Sequence, residues 1–177
     1  QHDIALVAVV LAQGRDMRVE PAVGAVLGDH ARQVWASVGV ALSGGRDSLL
    51  TVLVAWGALR KIHDGLDPAA LAAKMKTALH TFYMPTRFSG DATRSAAARI
   101  ALDLGASFSV LPIEEAFERE LEATRTMLGE SGPAPTGITQ QNVQARIRGT
   151  RMWNWANPSG ALYLQTGNMS EKAVGYT

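Results

Sequence analysis

The sequence predicts an α/β fold, a doubly wound parallel sheet with helices on both faces, from three features of the chain. The apolar run Val34 to Leu42 is nearly continuous, as a strand buried on both faces of a parallel sheet requires. It ends in the glycine-rich turn Ser43-Gly44-Gly45-Arg46-Asp47-Ser48, which opens a second apolar stretch, Leu49 to Leu59. Short apolar runs then alternate with helix-length segments to the end of the chain. Sheets of this kind bind ligands outside the carboxyl ends of their strands, where the turns after Leu42 and Gln165 both fall.

Taken in order, Ile4 to Gln13 reads as a helix, and Gly14 to Gln33 has no clear period. Val34 to Leu42 is the first strand and Ser48 to Ile62 its covering helix. Asp67-Pro68 gives a helix start with proline in the first turn, so Ala69 to Met75 is helical. Thr77 to Met84 is a second strand closed by Pro85, Asp91 to Leu104 a helix ended by Gly105, and Ser107 to Leu111 a third strand. Ile113 to Leu128 is a charged amphipathic helix. Gly129 to Gly137 is a surface loop, Gln140 to Ala156 a long helix and Ala161 to Gln165 a fourth strand, after which Asn168 opens another helix.

With 177 residues and 47% hydrophobic content, the chain is long enough for one globular domain with a sizeable core. It begins at Gln1 without methionine and stops at Thr177, just past a turn that should open a new element, so we expect a single domain, 1–177, cut at both ends. A net charge of +1 argues against nucleic acid as the main partner. The absence of cysteine excludes a thiol nucleophile and Cys-based zinc sites in this chain, and fits a cytoplasmic protein. Ile4 to Ala12 is too short to span a membrane, and the four histidines show no ligand spacing.

The turn at Ser43 is suited to phosphate. Adjacent glycines let successive N–H groups converge on an anion, and the following helix adds its positive end. Ser43 and Ser48 bring hydroxyls, whereas Asp47 brings a carboxylate that belongs beside phosphate only with a cation between them. Mg2+ meets that need, since it takes one or two carboxylates plus phosphate oxygens. The Lys of a Walker A loop is missing, which disfavours a standard P-loop.

At these residues the chain resembles the N-type ATP pyrophosphatases, whose SGGxDS loop holds the pyrophosphate of ATP while the α-phosphorus is attacked. Three further blocks, Met84-Pro85-Thr86-Arg87-Phe88-Ser89, Asn142-Val143-Gln144-Ala145-Arg146-Ile147-Arg148-Gly149-Thr150 and Thr166-Gly167-Asn168-Met169-Ser170-Glu171, are similar to the NAD synthetases in particular, so residues 38–177 carry the motifs. The resemblance implies an adenine nucleotide alpha hydrolase-like fold and a ligase that adenylates the nicotinate carboxylate of deamido-NAD with ATP. Ammonia, free or delivered from glutamine by a glutaminase domain or partner, then displaces AMP to give NAD. It also implies Mg2+ and a homodimer with deamido-NAD near the subunit interface. Attack by one anion on another needs charge neutralisation and positioning more than a protein nucleophile.

Carried over residue by residue, Ser43, Gly44, Gly45, Arg46, Asp47, Ser48, Arg87 and Thr166 are the expected ATP contacts, with Asp47 and Ser48 catalytic and Asp47 and Glu171 on the metal. Asn142, Arg146, Trp153 and Glu171 are the expected deamido-NAD contacts. Asn142, Arg146, Gly149 and Trp153 recur at i, i+4, i+7 and i+11, one face of the long helix, beside a second face with Val143, Ile147 and Thr150. Alternatives stay open: Trp153 as core or subunit interface, and Arg87 and Arg148 as surface ion pairs. The rival functions are another amidotransferase with this loop, such as a GMP synthetase, and a nucleotide-binding domain without turnover.

Overall fold

Four short strands separated by helices form one parallel sheet in the computed structural model, which describes residues 37–167. The strands are β1 (Val38–Ala41), β2 (Leu79–Tyr83), β3 (Ser107–Val110) and β4 (Leu162–Leu164), in the order β3-β2-β1-β4. In register, Val38 lies opposite both Leu79 and Leu162, and His80 opposite Ser107. The chain steps outward from β1 to β3, then returns to the other side of β1. The point where the winding reverses, between β1 and β4, is where an open α/β sheet leaves a crevice outside its carboxyl edge.

The helices are α1 (Arg46–Ile62), α2 (Pro68–Ala78), α3 (Asp91–Asp103), α4 (Glu114–Leu128) and α5 (Gly137–Ser159). Side chains alternate across each strand. Val38, Val40, Leu42, Leu79 and Tyr83 join a core with Val52, Ala55 and Leu59 of α1, Met75 of α2, and Ala97 and Ala101 of α3. The opposite face packs Phe82, Met84 and Ala41 against Ile113, Met152 and Trp155. Gly39 makes that second face possible: a Cβ there would lie 2.2 Å from Trp155 Cζ3, so the indole rests directly on the strand backbone. Helices thus cover both faces, as the alternation of segments predicts.

A third apolar cluster, Phe117, Leu121 and Val143 with Ile147 against it, contains no strand residue. α4 begins where the sheet ends, since the Ile113 N–H donates to Pro85 O at 2.9 Å. α5 reaches the strands only in its second half, where Met152 meets Met84 and Trp155 meets Phe82. The α4–α5 hairpin therefore projects beyond the carboxyl edge of the sheet and packs on itself. Each of Phe117 and Leu121, fully buried, contributes about 1.5–3 kcal/mol to that packing.

Several boundaries differ from expectation. Thr77 and Ala78 end α2 rather than opening β2, because the Thr77 hydroxyl donates to Lys74 O at 3.0 Å, so a helix carbonyl satisfies a residue whose branching suggests a strand. α5 runs three residues beyond each expected end: Thr136 caps it by accepting the Thr139 N–H at 3.2 Å, and Gly160 closes it at φ +59°. The expected helix from Ile4, the span 14–33, residues 34–36 of the first strand and the helix from Asn168 lie outside the described residues.

Candidate functional site

The β1–α1 turn is closed by its own side chains. The buried Ser48 hydroxyl accepts the Ser43 N–H at 3.2 Å, donates to Gly45 O at 3.0 Å and lies 3.0 Å from Ser43 Oγ. Ser43 Oγ in turn accepts the Gly45 N–H at 3.2 Å. Ser48 thus ties the start of α1 back to the end of β1, while Ser43, Gly45, Arg46 and Asp47 remain exposed around it. Arg46, Asp47 and Ser48 are the first three residues of α1, and the N–H groups of a first turn have no acceptor within the helix. Those donors, the helix dipole and the exposed Ser43 hydroxyl converge on one small surface, suited to phosphate oxygens.

One residue of the turn is fixed by a neighbour the sequence did not reveal. Gly44 has φ +82°, and a Cβ there would lie 2.4 Å from the carbonyl oxygen of Thr93, in the first turn of α3. Thr93 is itself held by its side chain, 2.8 Å from the Tyr83 hydroxyl and donating to Gly90 O at 2.7 Å. α3 therefore forms one wall of the turn. On its other side, Thr166 is half-buried two residues past β4. Continuing the register of Val40 with Leu164 places Thr166 level with Leu42, beside the start of the turn.

The β2–α3 connection is bonded to both projecting helices. The Arg87 N–H donates to Glu114 Oε2 at 2.7 Å, its Nη1 donates to Glu114 Oε1 at 2.6 Å and also to Glu118, and its guanidinium stacks on Phe88 and Phe117. Arg87 thus has the ion-pair role that the sequence left open. The buried Thr86 hydroxyl donates to Gln144 Oε1 at 2.9 Å, and Arg148 Nε donates to Met84 O at 3.0 Å. Arg148 is thereby a bridge from α5 to the end of β2.

Along α5, Asn142 is half-buried and Arg146 exposed on the projecting half. Arg146 borders a groove of about 420 Å³ between α4 and α5, with Val143, Ile147 and Glu120 also in its walls. The two faces counted on the helix are therefore not separate, since Arg146 shares this groove with the apolar residues. Trp153 lies about two turns further on and packs edge-on against Tyr163, ring centroids 5.6 Å apart. Tyr163 is level with Gly39, about 13 Å along the strand from Ser43, so Trp153 is not brought to the Ser43–Ser48 turn. Burial pushes the Tyr163 hydroxyl above its ordinary value.

Among the described residues no three His, Cys, Asp or Glu side chains cluster as a metal cage. His80 lies within a tertiary network, 3.0 Å from both Thr77 O and Ser107 Oγ. Glu171, the second expected acidic position, lies outside the described residues. The contributions of Thr93 and Gln144 were not legible in the sequence, because they arise from tertiary contacts with Gly44 and Thr86.

The family model of NAD synthase matches residues 25–177. The chain is 36% identical over 142 residues to the glutamine-dependent NAD(+) synthetase of Xylella fastidiosa strain Temecula1, covering 80% of this chain and 23% of the relative. It is 33% identical over 151 residues to that of Thermotoga maritima, covering 85% of this chain and 23% of the relative. It therefore spans about a quarter of the length of these relatives. Among solved structures, the glutamine-dependent NAD+ synthetase of Acinetobacter baumannii in complex with ADP superposes with a TM-score of 0.64 at 29% identity, covering 84% of this chain and 25% of that one. The synthetase of Cytophaga hutchinsonii superposes at 0.72 and 24% identity, covering 86% and 30% respectively, a likeness of fold. The sequence blocks, the parallel sheet and these matches agree: the chain belongs to the NAD synthase family.

Proposed function

We propose that this chain carries the synthetase chemistry of its family, ATP-dependent amidation of deamido-NAD to NAD with release of AMP and pyrophosphate. The observation that carries the reading is the self-bonded Ser43–Ser48 turn at the switch point of the sheet, flanked by α3 and by Thr166. A nicotinate carboxylate oxygen attacks the α-phosphorus and the bond to pyrophosphate breaks; ammonia then bonds to the acyl carbon as AMP leaves. Ser43, Gly44, Gly45, Arg46 and Thr166 hold the phosphates, and Ser48 keeps the turn in shape. Asn142 and Arg146 present an amide and a guanidinium to the dinucleotide, orienting it and neutralising its charge.

Asp47 is an exposed carboxylate among hydroxyls at the start of α1, a hard oxygen donor suited to Mg2+. With no protein cage among the described residues, such an ion would be held by Asp47, by Glu171 and by the phosphates themselves. Bound there, it supplies charge neutralisation for the leaving pyrophosphate. Ammonia delivered from glutamine is supported by the names of the relatives, and a thiol-based glutaminase would lie outside this cysteine-free chain. The same reading includes a homodimer, supported by the exposed Met127 and Ile138 on the projecting hairpin, and a cytoplasmic location. No helix of the described residues is long and apolar enough to cross a membrane.

ATP–pyrophosphate exchange tests the proposal. The purified protein should exchange labelled pyrophosphate into ATP only when deamido-NAD and Mg2+ are present. Nucleotide binding without exchange would leave a binding domain, and exchange driven by another carboxylate or nucleotide acceptor would point to a different amidotransferase.

A further inference from the structure

The segment Met84 to Ser89 stands between the sheet and the projecting hairpin, and Arg87 is bonded to α4 by its backbone and its side chain together. Both carboxylate oxygens of Glu114 are taken by Arg87, one by its N–H and one by Nη1, and Nη1 also reaches Glu118. The guanidinium carbon lies 4.9 Å from the Phe88 ring centre and 5.3 Å from that of Phe117. A lone exposed ion pair holds little, but two carboxylates, a main-chain donor and two rings restrict the side chain from several directions. The charge is also wrong for phosphate: one guanidinium between Glu114 and Glu118 leaves a local excess of one negative charge, which repels a triphosphate.

We propose that Arg87 is a positioning residue. Acting through Glu114 and Glu118, it fixes the α4–α5 hairpin against the carboxyl edge of the sheet and thereby places Asn142 and Arg146 for the dinucleotide. The Thr86–Gln144 and Arg148–Met84 hydrogen bonds secure the same segment to α5, so the connection is braced on both helices. The proposal rests on the synthetase reading for its kinetic consequence, while the brace itself is independent of that reading.

The test compares Arg87→Ala, the double variant Glu114→Gln/Glu118→Gln, and all three changes together. Positioning predicts that the first two each raise the KM for deamido-NAD by ~10-fold, keep the KM for ATP within about twofold, and do not add when combined. If Arg87→Ala raises the KM for ATP while the glutamine variant leaves or lowers it, the arginine is a phosphate ligand and the proposal falls. A lowered Tm with unchanged kinetics also overturns it, since Arg87 then only stabilises the fold. Amide hydrogen exchange gives a readout without turnover: Arg87→Ala should open residues 84–89 and the first half of α5 while leaving α1 protected. Should the parent protein lack pyrophosphate exchange, the synthetase reading fails by itself, and this protection pattern decides the brace: its loss supports the proposal, and unchanged protection refutes it.

Discussion

Replacing Gly44 by alanine separates the phosphate turn from an ordinary strand-to-helix connection. An L-residue at φ +82° costs about 1–2 kcal/mol over glycine. The new methyl would also lie 2.4 Å from Thr93 O, a backbone atom that cannot rotate away. Restoring normal contact requires the turn and the first turn of α3 to part by about 1 Å, while the Tyr83–Thr93 bond resists that movement. We expect a net cost of about 2 kcal/mol, a fall in Tm of ~4–8 °C, and a loss of ~100-fold in pyrophosphate exchange, the scale of a 1 Å misplacement. Gly45→Ala is the control, since Gly45 has φ −90° and its Cβ would meet only the Ser43 hydroxyl at 3.3 Å, a side chain able to shift. Calorimetry and the exchange assay on both variants decide the matter. Equal behaviour of the two, or full exchange by Gly44→Ala, would refute the claim that α3 holds the turn in its working shape.

Three other perturbations have defined outcomes. Asp47→Asn should retain the fold, because the side chain is exposed, yet lose at least ~100-fold in exchange; normal activity with the parent's Mg2+ dependence would remove Asp47 from the metal. Arg146→Ala should raise the KM for deamido-NAD by a factor equivalent to ~1.5–3 kcal/mol with Tm unchanged, whereas Ile147→Ala should lower stability by ~2 kcal/mol, and a lowered Tm with unchanged KM in Arg146→Ala would make Arg146 structural. Tyr163 gives an alkaline signature, read by urea titration across pH. Below its unfolded value near 10 both states keep the proton; above it the unfolded chain releases the proton first, so stability falls until the raised folded value is passed. Tyr163→Phe should flatten that fall, and an unchanged slope would assign it elsewhere.

The fold was legible because its signals are local. Nearly continuous apolar strands, Asp67-Pro68 and Gly105 at the end of a helix each act within a few residues, and the structure keeps them. The strand-to-helix turn was equally legible, since Ser43 and Ser48 lie five residues apart and bond to each other. What the sequence could not show is tertiary. Helical periodicity placed Arg146 and Trp153 on one face, and the eleven steps from Asn142 to Trp153 span roughly 16 Å, but the pattern does not say where along that length the sheet lies. One end of that face stands beyond the sheet and the other lies beside the middle of β4. The ion-pair alternative for Arg87 was open in the sequence, yet its choice of Glu114 and Glu118 required α4 to start at the end of β3.

The difference in height also orders the site. A phosphate group needs donors fixed on a small scale, and the Ser43–Ser48 turn obtains them from hydrogen bonds of about 3 Å within six residues. A dinucleotide is far longer than a triphosphate and needs a second surface set at a distance from the first, which no single turn can supply. On the proposed reading the α4–α5 hairpin provides such a surface beyond the carboxyl edge, and apolar packing joins it to the sheet through Ile147, which lies against both clusters, and through Met152 and Trp155 further along α5. The Met84–Ser89 segment adds polar crossings to that packing, through Glu114, Gln144 and Arg148. If the proposed synthetase reading holds, precision at the phosphates is local and precision at the dinucleotide is tertiary, so changes in residues 84–89 should alter dinucleotide affinity before they alter the affinity for ATP.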